Sequence, residues 1–368
     1  MGVVGGGQLA RMMGEEAHEV GVHLTVLATS PDDAAVATCD AALVGEARDA
    51  GALARLADAV DVVTFDHELV DLAQIAALEG RVAVRPNAAA LAFAVDKAHQ
   101  RRQFEAAGIA VPRYVIVGSG DDPALATFLA TLDGPPVVKA ARGGYDGRGV
   151  LFPADVGATK DAIDDIAGDA VVEERLDLRG ELSQVLVRAV SGEMALYPLV
   201  TTLQREGMCV ETVYPAPAEF AGAAAELATR IAELSGVVGI LAVELFVTDA
   251  GLLVNEVALR PHNTGHWTIE GATTSQFANH LRAVSGQPLG STSPVAGAAV
   301  MVNVVGASEP GSIAAASAVP GAHVHDYGKA WRPRRKLGHV TVVGPDAGAA
   351  HVTAWESARA YGTGTREA

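Results

Sequence analysis

Glu244 lies in "LAVELFV" and Glu256 in "LLVNEVA", two apolar runs separated by the turn signal "TDAG". Strand alternation puts Glu244 on the face opposite Val243 and Leu245. A hairpin at "TDAG" pairs the strands and brings both carboxylates together on one face, with Asn255 beside them. Two like charges side by side in a mostly apolar sheet repel unless a cation sits between them. Two carboxylates and an amide oxygen are hard ligands, suited to Mg2+ shared with nucleotide phosphates.

A second stretch points to phosphate. Residues 139–149 read "KAARGGYDGRG", directly after the short buried run "PPVV". The amides of Gly143, Gly144, Gly147 and Gly149 form a cradle for phosphate oxygens, and Lys139 on the preceding strand neutralises them. The order differs from a Walker loop, because the lysine precedes the glycines and no Gly-Lys-Ser/Thr follows. A plain hairpin turn needs only two residues, so a loop that also carries Tyr145, Asp146 and Arg148 favours a flap that closes over phosphate.

These stretches sit in a chain of 368 residues, enough for two or three domains, with 49% hydrophobic and 19% charged residues. No apolar run reaches membrane-spanning length and no signal-peptide layout opens the chain, so a cytoplasmic, membrane-free protein is expected. Cys39 and Cys209 are isolated and make no metal or redox spacing. Net charge is 27 − 44 = −17, so the body repels nucleic acid and any anionic ligand needs a local basic cluster.

The elements that must carry these groups fall into three expected domains. Residues 1–94 form a small doubly wound α/β domain. It opens with "GVVGGGQLARMM", a βαβ pattern in which Gly5, Gly7 and Ala10 stand where a dinucleotide fingerprint would. Asp32 and Asp33 are the only acidic residues after the second strand, and they lie past a proline, so another phosphate at the helix N-terminus is the favoured reading over a dinucleotide. Tight strand-to-helix packing is the plainer role for the glycines. A first strand of three or four residues leaves room for chain upstream of Met1. "FDHE" (Asp66, His67, Glu68) lies at another strand end, where a solvated loop is favoured over a catalytic His67. Residues 95–172 form a small antiparallel lid domain carrying the glycine flap. Residues 173–368 form a larger α+β domain holding the glutamate hairpin.

Together the lysine before the flap, "VVEE", and "ELF" followed by "NE" resemble the ATP-grasp superfamily. More narrowly, "GGGQLARMM", "GGYDGRG", "LRPHNTGHWTIEGATTSQF" and "WRPRRKLGH" resemble the N5-carboxyaminoimidazole ribonucleotide synthetase family, in the right order from near residue 2 to near residue 345. The resemblance implies an ATP-grasp fold and Mg-ATP- and bicarbonate-dependent carboxylation of the amino group of 5-aminoimidazole ribonucleotide, through carboxyphosphate. It implies a homodimer acting on small molecules. By position it implies ATP contacts from Lys97, Lys139, the flap glycines, Glu173, Glu174, Leu176, Glu181, Gln204 and Asn255, and metal ligation by Glu244 and Glu256. Arg260, His262 and Asn263 would line the bicarbonate position, with His266 either joining them or serving the core. Tyr145, Asp146 and Arg148 would reach the second substrate as the flap closes. Lys329, Arg332, Arg335 and Lys336, in the densest basic cluster of an acidic chain, would anchor the ribonucleotide phosphate with Gly7 and Gln8.

Three positions depart from the family pattern. Thr202 and Gln204 occupy a segment where relatives carry Asn and then His, and Lys97 stands where arginine is common. Another ATP-grasp carboxylate–amine ligase, such as a formate-dependent glycinamide ribonucleotide transformylase, would share Lys139, Glu244 and Glu256 but differ around His262 and Trp267. A non-catalytic nucleotide-binding module is the alternative of a different class.

Overall fold

The computed structural model describes residues 1–144 and 149–364. The first sheet is parallel throughout, in the order β3-β2-β1-β4-β5. Its strands are β1 (Gly2–Val4), β2 (Thr25–Ala28), β3 (Ala41–Val44), β4 (Val62–Phe65) and β5 (Ala83–Val84). Helices α1 (Gln8–Val20), α2 (Ala50–Ala59) and α3 (Leu72–Leu78) connect them. The carboxyl ends of β1 and β4 lie side by side, which sets Gly5–Gly7 against Asp66–Glu68 where the strand order reverses. The exposed edge strand β3 has no counterpart in the sequence reading, and the "RVAVRPN" strand is only two residues long. Its pairing with β4 covers Ala83 and Val84 and stops one residue short of Pro86, which has no N–H to donate.

The segment from residue 88 onward, which reads as one helical linker, is two helices, α4 (Ala88–Val95) and α5 (Lys97–Ala106). Asp96 adopts extended backbone between them, and its carboxylate accepts from the His99 amide as the α5 N-cap. Next comes a four-stranded antiparallel sheet in the order β6-β9-β7-β8. It comprises β6 (Tyr114–Val117), β7 (Val137–Ala140), β8 (Val150–Leu151) and β9 (Ala170–Glu173), covered by α6 (Pro123–Leu129) and α7 (Val156–Asp164).

The largest sheet has nine antiparallel strands. They are β10 (Gly180–Arg188), β11 (Met194–Leu196), β12 (Val200–Arg205), β13 (Met208–Tyr214), β14 (Gly239–Thr248), β15 (Gly251–Ala258), β16 (Ala298–Val305), β17 (Ala322–Asp326) and β18 (Lys336–Gly344). Helix α8 (Ala221–Ser235) buries Ala224, Ala228 and Ile231 against Leu186, Leu241 and Val243 of this sheet. The short α9 (Thr268–Gly271) and α10 (Gln276–Ser285) cover other parts of it, and Phe277 and Leu281 of α10 pack on α1 of the first domain. Helix α11 (Ile313–Ser317) and α12 (Ala347–Tyr361) close the far end around Trp355. Among the described residues, no helix is long and apolar enough to cross a membrane.

Candidate active site

Strands β14 and β15 form the expected hairpin, with Glu244 and Glu256 as direct register partners beside a bulge at Glu244–Leu245. The repulsion between them is met by the chain's own cations. Lys97 Nζ lies 2.5 Å from Glu256 Oε2, and His262 Nε2 lies 3.6 Å from Glu244 Oε1. A cation does sit at the pair, as their mutual repulsion requires, and it is a lysine from α5. The two carboxylates are driven apart in acidity. Burial, then the charge of Glu256, pushes Glu244 up, whereas Lys97 holds Glu256 well below the usual carboxylate range. Lys336 also attracts Glu244, which brings the start of β18 to the hairpin.

Behind this pair lies a buried polar network. Glu173, at the end of β9, accepts from Arg101 Nε at 2.8 Å through Oε1, and its Oε2 lies 2.7 Å from Lys139 Nζ. Lys139 Nζ also donates to Asn255 Oδ1 at 3.0 Å, and Arg101 Nη2 to the Asn255 carbonyl at 2.6 Å. Side-chain exposure is 1% for Arg101, 2% for Glu173 and 9% for Lys139. Burial alone would raise the Glu173 carboxyl, but two cations outweigh it and hold it below its ordinary value. Lys139 moves down as well, opposite to what a lone ion pair would do, because burial and the neighbouring charges of Arg101 and Lys97 outweigh Glu173. Both groups stay in reach of the hairpin: Lys139 Nζ is 6.0 Å from the Phe246 ring centroid, and Phe246 pairs with Glu181 on β10.

Glu181 is half-buried, and burial pushes its carboxyl up to about 7. Gln204 lies on β12 two residues beyond Thr202, the register partner of Glu181, so these two expected ATP contacts share one region of the sheet. Glu174 instead pairs with Arg113 at 2.7 Å on the lid's flank, and Leu176 lies half-buried in the connection to β10. At the root of the flap, Arg142 Nη2 is 2.7 Å from Asp96 Oδ2, and Gly143 and Gly149 have left-handed φ values of 79° and 77°. Tyr145, Asp146, Gly147 and Arg148, named above as flap groups, lie outside the described residues.

The segment after β15 is held by side chains that the sequence reading passed over. Arg260 Nε donates to Glu68 Oε2 at 2.5 Å, and the Leu259 amide donates to Glu68 Oε1 at 3.3 Å. Within "FDHE" it is Glu68 that fixes Arg260, while His67 Nδ1 accepts from the Leu69 amide. Gln276 clamps His262 by both its amide and its carbonyl, and Asn263 exchanges paired hydrogen bonds with Asn303 of β16. His266 is fully buried, its ring 4.9 Å from that of His339, and Trp267 stacks on Tyr214. His266 therefore serves the core rather than the expected anion position.

At the carboxyl end of β1, Gly5 has φ 104°, and a Cβ there would sit 2.8 Å from the His67 ring. The Gly7 amide donates to Asp66, whose carboxyl burial raises. Gln8 Oε1 accepts from Lys329 Nζ at 2.5 Å, joining two residues expected to bind one phosphate. Within the basic cluster, Arg335 turns back onto the Ala330 carbonyl, Arg332 is exposed, and Arg334 pairs with Glu206 on the β12–β13 turn.

Oxygen ligands for a divalent cation are present in Glu244 and Glu256, and this hard-donor pair fits magnesium. Among the described residues no three His, Cys, Asp or Glu side chains gather to hold a metal. A cation here would need further oxygens, from water or a bound ligand, to complete its shell.

Three family models match the chain: a ribonucleotide synthetase preATP-grasp domain over residues 1–95, an ATP-grasp domain over 102–277, and a phosphoribosylaminoimidazole carboxylase C-terminal domain over 299–353. The N5-carboxyaminoimidazole ribonucleotide synthase of Mycobacterium tuberculosis is 48% identical over 360 residues, spanning 94% of this chain and 83% of its own. The crystal structure of the Thermus thermophilus synthetase superposes with a TM-score of 0.90 at 36% identity, covering 100% of this chain and 99% of that one. An Aspergillus clavatus synthase bound to ADP and 5-aminoimidazole ribonucleotide superposes at 0.88 with 27% identity, covering 98% and 97%.

Proposed function

The chain belongs to the N5-carboxyaminoimidazole ribonucleotide synthase family, and from that premise we propose how its residues share the work of an ATP-dependent ligase of purine biosynthesis. It carboxylates the amino group of 5-aminoimidazole ribonucleotide at the expense of ATP and bicarbonate. A bicarbonate oxygen attacks the γ-phosphorus and ADP leaves. The resulting carboxyphosphate passes its carboxyl carbon to the amine, which loses a proton as phosphate departs. Such transfers depend on positioning and charge neutralisation more than on covalent help from the protein.

The observation that carries the assignment of roles is the convergence of Lys97, Lys139, His262 and Lys336 on the strand-paired glutamates of β14 and β15. Lys97, Lys139 and the flap glycines hold the ATP phosphates, and the Glu173–Leu176 segment with Glu181, Gln204 and Asn255 holds the rest of the nucleotide. Glu244 and Glu256 would hold magnesium, which would supply positive charge to offset the phosphates of the nucleotide. Arg260, fixed by Glu68, and His262 and Asn263, fixed by Gln276 and Asn303, line the bicarbonate position. Gly7, Gln8, Lys329, Arg332, Arg335 and Lys336 hold the ribonucleotide, and Tyr145, Asp146 and Arg148 approach it from the flap. Domain limits at residues 94/95 and 172/173, a homodimer and a cytoplasmic location complete the proposal.

ADP release from the purified protein with Mg-ATP and bicarbonate tests the reading. Strong stimulation by 5-aminoimidazole ribonucleotide is expected, and no response to that ribonucleotide would refute it. A pH effect follows from Glu244, whose carboxyl is pushed up to about 8 by burial and Glu256. Below that pH Glu244 carries a proton, which a bound cation must displace. Magnesium-nucleotide binding should therefore release a proton at pH 7, tighten as pH rises toward 8 and level off above it. Calorimetry in buffers of different ionisation enthalpy reads this directly, and a buffer-independent heat at pH 7 would contradict it.

A further inference from the structure

Strands β17 and β18 carry a stack of aromatic and imidazole rings that the reaction as described does not use. His325 and His339 are direct cross-strand partners, with ring centroids 4.4 Å apart and planes 8° from parallel. His339 is fully buried, and its Nδ1 lies 2.8 Å from the hydroxyl of Tyr327, itself 1% exposed. His266 closes the stack from the other side, 4.9 Å from His339. On the outer side, His325 Nε2 lies 2.6 Å from Glu270 Oε1. Burial pushes both His266 and His339 well below their ordinary values, so the buried part of the stack is neutral rather than a charge store.

One group leaves this stack toward the ribonucleotide side. Lys329 Nζ lies 5.4 Å from the Tyr327 ring centroid while it donates to Gln8 Oε1 at 2.5 Å. Only Gly328 separates the two residues, in a left-handed turn with φ 66°. A lysine stem has four rotatable bonds, and holding its ammonium in one place costs rotamer entropy. A ring face fixed from below reduces that cost by attracting the cation and shielding its stem.

We propose that Tyr327 is a positioning residue for the second substrate: its ring seats the Lys329 ammonium, and the His339–His325 stack fixes the ring through the Tyr327 hydroxyl. The ligand is a phosphate monoester held by Lys329 beside Gln8, so the inference rests on the ribonucleotide reading of that segment.

Steady-state kinetics on the whole enzyme test both layers. Lys329→Ala alone tests the reading beneath, and it should raise KM for 5-aminoimidazole ribonucleotide by about tenfold or more, the loss of a charge-assisted phosphate contact. Tyr327→Leu should raise the same KM about five- to tenfold, with kcat within about twofold and KM for ATP unmoved. Tyr327→Phe keeps the ring and loses only the bond to His339, so a rise of about two- to threefold is expected, and it remains informative if the leucine variant folds poorly. In a Lys329→Ala background, Tyr327→Leu should add nothing further. Additive effects in the double variant, or a parallel rise in KM for ATP, would overturn the positioning role and leave Tyr327 a core residue. An unchanged ribonucleotide KM in Lys329→Ala would instead overturn the anchor reading itself, and the inference with it.

Discussion

Glu256→Gln is expected to lower kcat by about 10²–10³-fold while the protein stays folded, the scale seen when one preorganised electrostatic contact to a reacting group is lost. The substitution keeps volume and strand pairing with Glu244 and removes only the charge. At 43% side-chain exposure, Glu256 has a neighbourhood that admits water in place of the lost ion pair, although its partner Lys97 is only 14% exposed. Glu244→Gln should be as damaging to turnover but milder still for stability. Burial already favours the protonated, uncharged form of Glu244 in the protein alone, and glutamine resembles that form. The two variants therefore separate a ligand role from a structural one. Rapid-quench measurement of ADP formation, with circular dichroism as a folding control, reads both. A loss of less than tenfold in Glu256→Gln would remove this glutamate from the metal site and leave it as a counter-ion for Lys97.

Local signals made much of this arrangement legible. The hairpin over "TDAG" follows from two alternating apolar runs and a turn, and the lid follows from short strands broken by glycines and prolines. What escaped has a common physical cause: the partners lie far apart in the chain. Nothing around "HQRRQF" distinguishes Arg101 from the exposed Arg102 beside it, because its role depends on Glu173, 72 positions away, and on a carbonyl on β15. In "FDHE" the histidine draws attention as the group that titrates near neutrality, yet it is Glu68 that fixes Arg260, 192 positions on. The carboxylate pair was read correctly as a source of repulsion, but sequence offers no means to see that Lys97 meets it. The helix break at Asp96 is the exception, since an aspartate ahead of a helical run is an N-cap signal in its own right.

Arg101→Met should destabilise the protein by about 3–5 kcal/mol, the range for removing one member of a buried ion pair. Arg101 donates to the Glu173 carboxylate and to the Asn255 carbonyl, and also to Gln100 Oε1 at 2.5 Å, all in a region closed to solvent. With the guanidinium gone, Lys139 alone faces Glu173, and the Asn255 carbonyl loses its donor. Arg101→Lys is expected to recover only part of the loss, since one ammonium cannot bridge a carboxylate, an amide and a carbonyl in one plane. The double variant Arg101→Met with Glu173→Gln should be less destabilised than the sum of its single changes, because the uncompensated carboxylate is removed along with its partner. Three domains make a single unfolding transition an unsafe measure, so hydrogen exchange at the amides of α5, β9 and β15 is the better readout. Faster exchange confined to those elements, with the amides of β1 and α1 unchanged, would identify the network as the tie between lid, linker helix and glutamate hairpin. Uniform acceleration across the chain would mean that Arg101 supports the whole fold and has no special place at the joint between these elements.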